Sequence, residues 1–240
     1  MRFLSLFSGI GGFDLGLERA GMTCVGQVEI DPYCRAVLAK HWPNVKRMED
    51  VRAVRGDEFG PIDLIAGGFP CQDVSNVGAK AGIDGERSGL WSEFYRLICV
   101  VQPRFALVEN VAGLLERGLG RVLGDLASGG FDAEWDHLSA GAVGAPHVRQ
   151  RIFILAYAQG DAGAGTYLPR ARRSLPHVWN RKPRGSFGIH VPGCYWEAPQ
   201  PGLVEVDDGL PDWSSRASAY GNAVVPQVAE VIGRAIMESA

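Results

Sequence analysis

The chain has few cysteines and no order among them. Cys24, Cys34, Cys71, Cys99 and Cys194 are odd in number, widely spaced and free of any C-x-x-C pair. No histidines cluster beside them, so neither a disulfide framework nor a zinc site is indicated. Long apolar runs are also missing: nothing approaches the roughly 20 apolar residues that a membrane span needs. The opening MRFLSLFSGIGG lacks a basic flank leading into an extended apolar stretch. These absences predict a soluble, cytoplasmic protein with no membrane partner and no metal. An excess of either charge is lacking too, since the formal net charge is −3. The distribution is nevertheless uneven: Arg170, Arg172, Arg173, Arg181, Lys182 and Arg184 follow Pro169 with no acid among them.

What is present is enough apolar residue, 46% over 240 positions, to bury one medium-sized core. Short apolar or β-branched runs alternate with helix-period segments through the first two-thirds, the pattern of a parallel sheet covered by helices. RFLSLF, TCVGQVEI, PIDLIAGG, FALVENV and RQRIFILAYA read as strands; GFDLGLERAG, PYCRAVLAKHW and LWSEFYRLICVVQ read as helices. Pro32 suits a first helical turn. After Tyr157 the periodicity disappears until about Pro211, and order returns with VVPQVAEVIGRAIM, a helix expected to fold back on the first lobe.

Ligands of open α/β sheets bind beyond the carboxyl ends of the strands. That rule brings together FSGIGGF after strand one, Glu29-Ile30-Asp31 after strand two, Phe69-Pro70-Cys71-Gln72 after PIDLIAGG, and Glu109-Asn110 ending FALVENV. Gly9, Gly11 and Gly12 would let a ligand approach the backbone, and a following helix N-terminus offers unpaired N–H groups. An acid some 20 residues on suits ribose hydroxyls. The spacing is not G-x-G-x-x-G, which leaves S-adenosylmethionine and a dinucleotide equally open. Cys71 follows a proline that fixes its own φ and restricts Phe69, so the thiol is aimed rather than packed, although a lone cysteine is more often a buried hydrophobe. Glu109 suits a proton donor, or a carboxylate that reaches water or an arginine at the sheet edge. Arg149 and Arg151 alternate and so share a face, suited to an anion or carbonyl oxygen, or to a solvated strand edge.

FSGIGGF, Glu29, GGFPCQ, ENV at 109–111, R-Q-R at 149–151 and GNAVVP at 221–226 occur in the order of the DNA cytosine-5 methyltransferase family, which this chain resembles over residues 1 to about 158 and about 213 to 240. The resemblance implies a Rossmann-like α/β sheet with helices on both faces, binding S-adenosyl-L-methionine and double-stranded DNA. Phe7, Ser8, Gly9, Gly11, Gly12 and Glu29 would hold the cofactor, Glu29 through the ribose. Ile30 and Phe7 would sandwich the adenine, with Asp50 and Val51 at its amino group. Gly68 and Pro70 would contribute from the cysteine loop, and Asn222 and Val224 would close the pocket. Cys71 would add to C6 of a flipped-out cytosine while Glu109, Arg149 and Arg151 orient the ring and stabilise its charge. The stretch after Cys71 would close behind the base. Gln72, Ser75 and Arg87, with Arg170, Arg172, Arg173, Arg181 and Lys182 beside Trp179, would touch DNA.

The implied organisation is a catalytic lobe over 1–157, a reduced, irregular target-recognition extension over 158–212 and a returning C-terminal helix over 213–240. A monomer is expected, in a bacterial or phage-infected cell, with a cognate restriction endonuclease as a further partner. His147 stands where the family usually has glutamine. Methylation of RNA cytosine is the neighbouring alternative, although no Cys-Phe-Thr occurs in the chain. A catalytically silent DNA-binding relative is a second, which the intact Cys71, Glu109 and arginines oppose.

Overall fold

The computed structural model describes residues 1–70, 89–145, 149–161, 163–175 and 219–239. The apolar runs become strands β1 (Arg2–Leu6), β2 (Thr23–Val28), β4 (Leu64–Gly67), β5 (Phe105–Val111) and β7 (Gln150–Ala158). Two strands were not expected from the sequence: the three-residue β3 (Lys46–Met48) and the polar edge strand β6 (Phe131–Ser139). The seven form one sheet in the order β3-β2-β1-β4-β5-β7-β6. All neighbours are parallel except β7, which runs antiparallel to both β5 and β6. Parallel pairing puts the carboxyl ends of β1, β2, β4 and β5 on one rim.

Helices α1 (Gly12–Arg19), α2 (Pro32–His41), α3 (Leu90–Val101), α4 (Leu114–Arg117), α5 (Leu119–Ser128), α6 (Tyr167–Arg173) and α7 (Pro226–Met237) connect and cover the strands. Asp31 caps α2, accepting from the Cys34 N–H at 2.9 Å, and Pro32 occupies the first turn, where its missing N–H costs nothing. On α3, Trp91, Phe94, Leu97 and Ile98 make one apolar stripe. They pack with α5 and Ile65, Val108 and Ile154 on one sheet face, while α1, α6 and α7 cover Phe3, Leu64, Leu107 and Leu155 on the other. A helix at 167–173 departs from the expected loss of order after Tyr157. Tyr167, Leu168 and Ala171 are buried in the second core, so this part of the extension is joined to the lobe.

The returning helix does pack on α1, and closely. A Cβ on Gly16 would lie 2.3 Å from the Pro226 carbonyl oxygen and 2.6 Å from Ala229 Cβ; one on Gly12 would lie 2.2 Å from the Val224 carbonyl oxygen. Gly16→Ala gains about 1 kcal/mol of helix propensity but forces two backbones apart, so a net loss of about 1–3 kcal/mol is expected in urea unfolding.

Candidate active site

The β1 loop is shaped by backbone conformations that side chains rarely adopt. Phe7 has φ 52°, Gly9 55° and Gly11 90°. A phenylalanine in the left-handed region costs roughly 1–3 kcal/mol and marks a functional loop more often than a structural one. Its ring stacks near Phe94, with centroids 6.3 Å apart. Glu29 ties this loop to β2: its two oxygens accept from the Gly9 N–H at 2.7 Å and the Asp31 N–H at 2.8 Å. Around Gly9 there is open space where a Cβ would stand, whereas Ile30, beside Glu29, is 65% exposed despite its apolar side chain. An open backbone, an acid and an unburied aliphatic side chain on one rim fit a nucleoside ligand such as S-adenosylmethionine.

The other candidate cofactor residues fall into two groups. Asp50 ends the β3 side of the rim and caps a single 3-10 turn, accepting from the Arg52 N–H at 2.9 Å. Gly68 lies half-buried and Pro70 exposed where β4 leaves the sheet. Others make contacts within the protein, and Gly11, Gly12 and Val224 also line an open pocket of about 600 Å³ with Trp42 and Tyr220. The Ser8 hydroxyl turns inward to donate to the Ser5 carbonyl at 3.0 Å. Gly11 abuts the Trp42 ring, Gly12 abuts Val224, and the Val51 side chain is buried in the first core. Asn222 lies in the turn before α7, next to Gly221.

Glu109 is the centre of the second half of the rim. It follows the apolar run Phe105–Val108 within β5, is buried, and is crowded by Gly68: a Cβ there would stand 2.6 Å from Glu109 Oε2. Arg151 Nε lies 3.0 Å from Glu109 Oε1, off the hydrogen-bonding direction, so Oε1 keeps an unfilled acceptor. Burial outweighs Arg151 and Arg149 and pushes the carboxyl up to about 7. Arg149 donates through Nη1 to the Gly221 carbonyl, while its Nε and Nη2 are buried without partners. The two arginines share a small cavity with Glu109, Phe153 and Val224, so they face one side as their alternation required. A carboxyl poised near neutrality beside two guanidiniums can both donate a proton and offset charge on a heteroaromatic ring.

Asn110 was not singled out by sequence, yet its Nδ2 donates to the Phe69 carbonyl at 3.1 Å, pinning the peptide that leads into Pro70. Its signal was an amide inside a buried strand, where an unpaired polar group would be costly. Cys71, Gln72, Ser75, Arg87, His147, Trp179, Arg181 and Lys182, and the stretch read as closing behind the base, lie outside the described residues. Of the basic cluster, Arg170 donates to Ser239 at 2.7 Å and Arg172 pairs with Asp136 at 3.2 Å. Both therefore have partners within the lobe, and Arg173 is exposed. No helix among the described residues is long and apolar enough to cross a membrane.

A family profile described as C-5 cytosine-specific DNA methylase matches residues 1–176. The type II methyltransferase M2.BsuMI of Bacillus subtilis is 40% identical over 65% of this chain and 42% of its own length. M.NgoPII of Neisseria gonorrhoeae is 36% identical over 65% of this chain and 48% of its own. The chain thus spans less than half the length of these curated relatives. A crystal structure assigned to a prophage-encoded DNA modification methyltransferase of E. coli superposes with a TM-score of 0.57 at 31% identity, covering 66% of this chain and 47% of that one. The DNMT2 structure from Spodoptera frugiperda, at 20% identity and a TM-score of 0.56, shares the fold. With residues 1–176 of its 240 inside the family profile, the chain belongs to the C-5 cytosine-specific DNA methylase family.

Proposed function

We propose that the protein transfers a methyl group from S-adenosylmethionine to C5 of cytosine within a short double-stranded DNA sequence, through a covalent Cys71–C6 adduct on a flipped-out base. The observation that carries this reading is Glu109: a buried carboxyl held near pKa 7, with an unfilled acceptor and two adjacent guanidiniums. The cofactor supplies an electrophilic methyl group on a sulfonium. Phe7, Gly9, Glu29, Ile30, Asp50 and Gly68 would hold it on the rim, with Asn222 and Val224 beside them, while Ser8, Gly11, Gly12 and Val51 shape the loop from behind.

The Cys71 thiolate forms a bond to C6 while the ring electrons move toward C5, and Glu109 donates to N3 and takes up the developing charge. Arg151 holds Glu109 in place, and the vacant Arg149 donors face the base or its phosphate. C5 would then take the methyl carbon as its bond to the sulfonium sulfur breaks, leaving neutral S-adenosylhomocysteine, and N3 would return its proton to Glu109. Loss of the C5 proton to a base restores the ring double bond and expels Cys71 as thiolate. The base must leave the stack for any of this, since C6 is unreachable inside a duplex. Arg173, which is exposed, would meet phosphates together with Arg181 and Lys182 of the same basic stretch, and Gln72, Ser75 and Arg87 would approach the flipped base. Partnership with a restriction endonuclease belongs to the same proposal, given the type II names of the relatives.

Bisulfite sequencing of DNA from a methylation-free host that expresses the protein tests this directly. Protected cytosines confined to one short motif are expected. Unprotected DNA from cells holding soluble, cofactor-binding protein would remove DNA as the substrate.

A further inference from the structure

Asp14, in the first turn of α1, is fully buried and takes no part in the chemistry above. A carboxylate inside a core is costly unless its oxygens are filled. Here they are: Ser5 Oγ donates to Oδ2 at 2.9 Å, while Gln27 Nε2 at 2.8 Å and Cys24 Sγ at 3.4 Å donate to Oδ1. Burial still raises the Asp14 carboxyl above its usual range. Its position in the first turn of α1 favours the charged form, and the nearest cation is reached through one amide. That amide belongs to Gln27, whose Oε1 accepts from Arg47 Nε at 2.7 Å. Arg47 Nη2 then donates to the carbonyls of Leu38 and Trp42 at the end of α2.

Both ends of this chain of bonds return to the glycine loop. Ser5 offers its carbonyl to the Ser8 hydroxyl, and Trp42 lays its ring against Gly11 while its Nε1 donates to Glu18 at 2.8 Å. Gln27 also lies two residues before Glu29 on the same chain segment, so a shift of its side chain is passed to the acid that holds Gly9. A core that needed only packing would place an apolar residue at position 14 and avoid desolvating a charge.

We propose that Asp14 is a positioning residue: with Gln27 and Arg47 it sets the loop from Phe7 to Gly12 and the Glu29 carboxylate at the spacing S-adenosylmethionine needs, without touching it. This rests on the rim being the S-adenosylmethionine site. Binding of S-adenosylhomocysteine, measured by calorimetry beside thermal unfolding and steady-state kinetics on the full chain, separates positioning from plain stability. Asp14→Ala is expected to weaken S-adenosylhomocysteine about tenfold and to raise the KM for S-adenosylmethionine by a similar factor, with kcat changed by less than about twofold. Asp14→Asn should recover most of the affinity, because its amide oxygen still accepts from Gln27 and the Ser5 hydroxyl can rotate to accept from its nitrogen.

Arg47→Met cuts the far end of the chain at a half-buried edge position, and about threefold weaker binding is expected even if Asp14→Ala fails to fold. Variants that melt earlier yet bind with unchanged affinity would overturn the proposal. Wild-type protein that binds no S-adenosylhomocysteine would overturn the cofactor reading, and this one with it.

Discussion

Replacing Cys71 by alanine is expected to abolish methyl transfer, lowering the rate at least about 10³-fold, while S-adenosylhomocysteine binding stays within about twofold of wild type. C5 of cytosine is a poor nucleophile until a group adds at C6, and no side chain on the described rim could replace a thiolate in that role: in the proposed reaction Glu109 meets the opposite edge of the ring. The residues before the cysteine are held from several sides. Asn110 fixes the Phe69 carbonyl, the Phe69 ring packs 5.4 Å from Trp91, and Pro70 fixes its own φ and restricts Phe69. A chain aimed this firmly gains its rate from alignment, where small displacements cost large factors. DNA carrying 5-fluorocytosine makes the adduct visible, because the C5 proton whose loss releases the enzyme is absent. Wild-type protein should form a denaturation-resistant complex with it and Cys71→Ala none. Methylation persisting in the variant would remove Cys71 from the mechanism.

Glu109→Gln should separate activity from stability. A drop of about 10²–10³ in kcat is expected from loss of the proton donor and charge partner. In the wild type the base must be approached by a protonated carboxyl, so kcat should also decline as pH rises through about 7, and the variant should lack that limb. Stability runs the same way. Between the carboxyl's ordinary 4.5 and about 7, folded Glu109 keeps a proton that the unfolded chain has released, so stability falls as pH rises across that window. The shift corresponds to about 3 kcal/mol at most, a loss complete above pH 7. Urea titrations at pH 5 and pH 8 should show wild type losing free energy that the variant does not lose. Equal pH dependence in both would mean that Glu109 is ionised throughout and acts only as a charge.

The parts of the fold legible in the sequence are those in which one physical signal dominates. Buried parallel strands such as DLIAG and FALV are unbroken apolar runs, Pro32 and Asp31 mark a helix start, and the stripe of α3 repeats at helical spacing. What was missed combines signals. Strand β6 carries Asp132, Glu134 and Asp136 because it is a sheet edge beside α6, where Glu134 accepts from the Leu168 N–H at 2.6 Å and Asp136 pairs with Arg172 at 3.2 Å, and charges at an edge discourage pairing with other chains. Helix α5 contains Gly120 and Gly124, which lower its propensity, and α6 holds a proline in its first turn, where the bond it lacks is not needed.

In the site, the spacing of Glu109, Arg149 and Arg151 was readable because alternation on strands is strict. The inward turn of Ser8, the contact of Gly12 with Val224 and the burial of Asp14 were not readable, since each depends on a partner distant in sequence. Asp14 in particular looks like any acid in a first helical turn, favoured there by the helix dipole.

The close seating of α7 on α1 also governs how the protein comes into being. Some 200 residues separate the two helices, so at about 5–20 residues per second the ribosome takes about 10–40 s to deliver the second after the first. Through that interval Leu17 and the glycine face of α1 lack the cover of α7, and the Val224 carbonyl that backs Gly12 does not yet exist. The cofactor loop therefore takes its final shape only after the rest of the sheet has been made. A nascent chain has a window in which it resembles a client of the folding machinery, and a chain cut short before Val224 and α7 keeps a Gly12 loop without its backing.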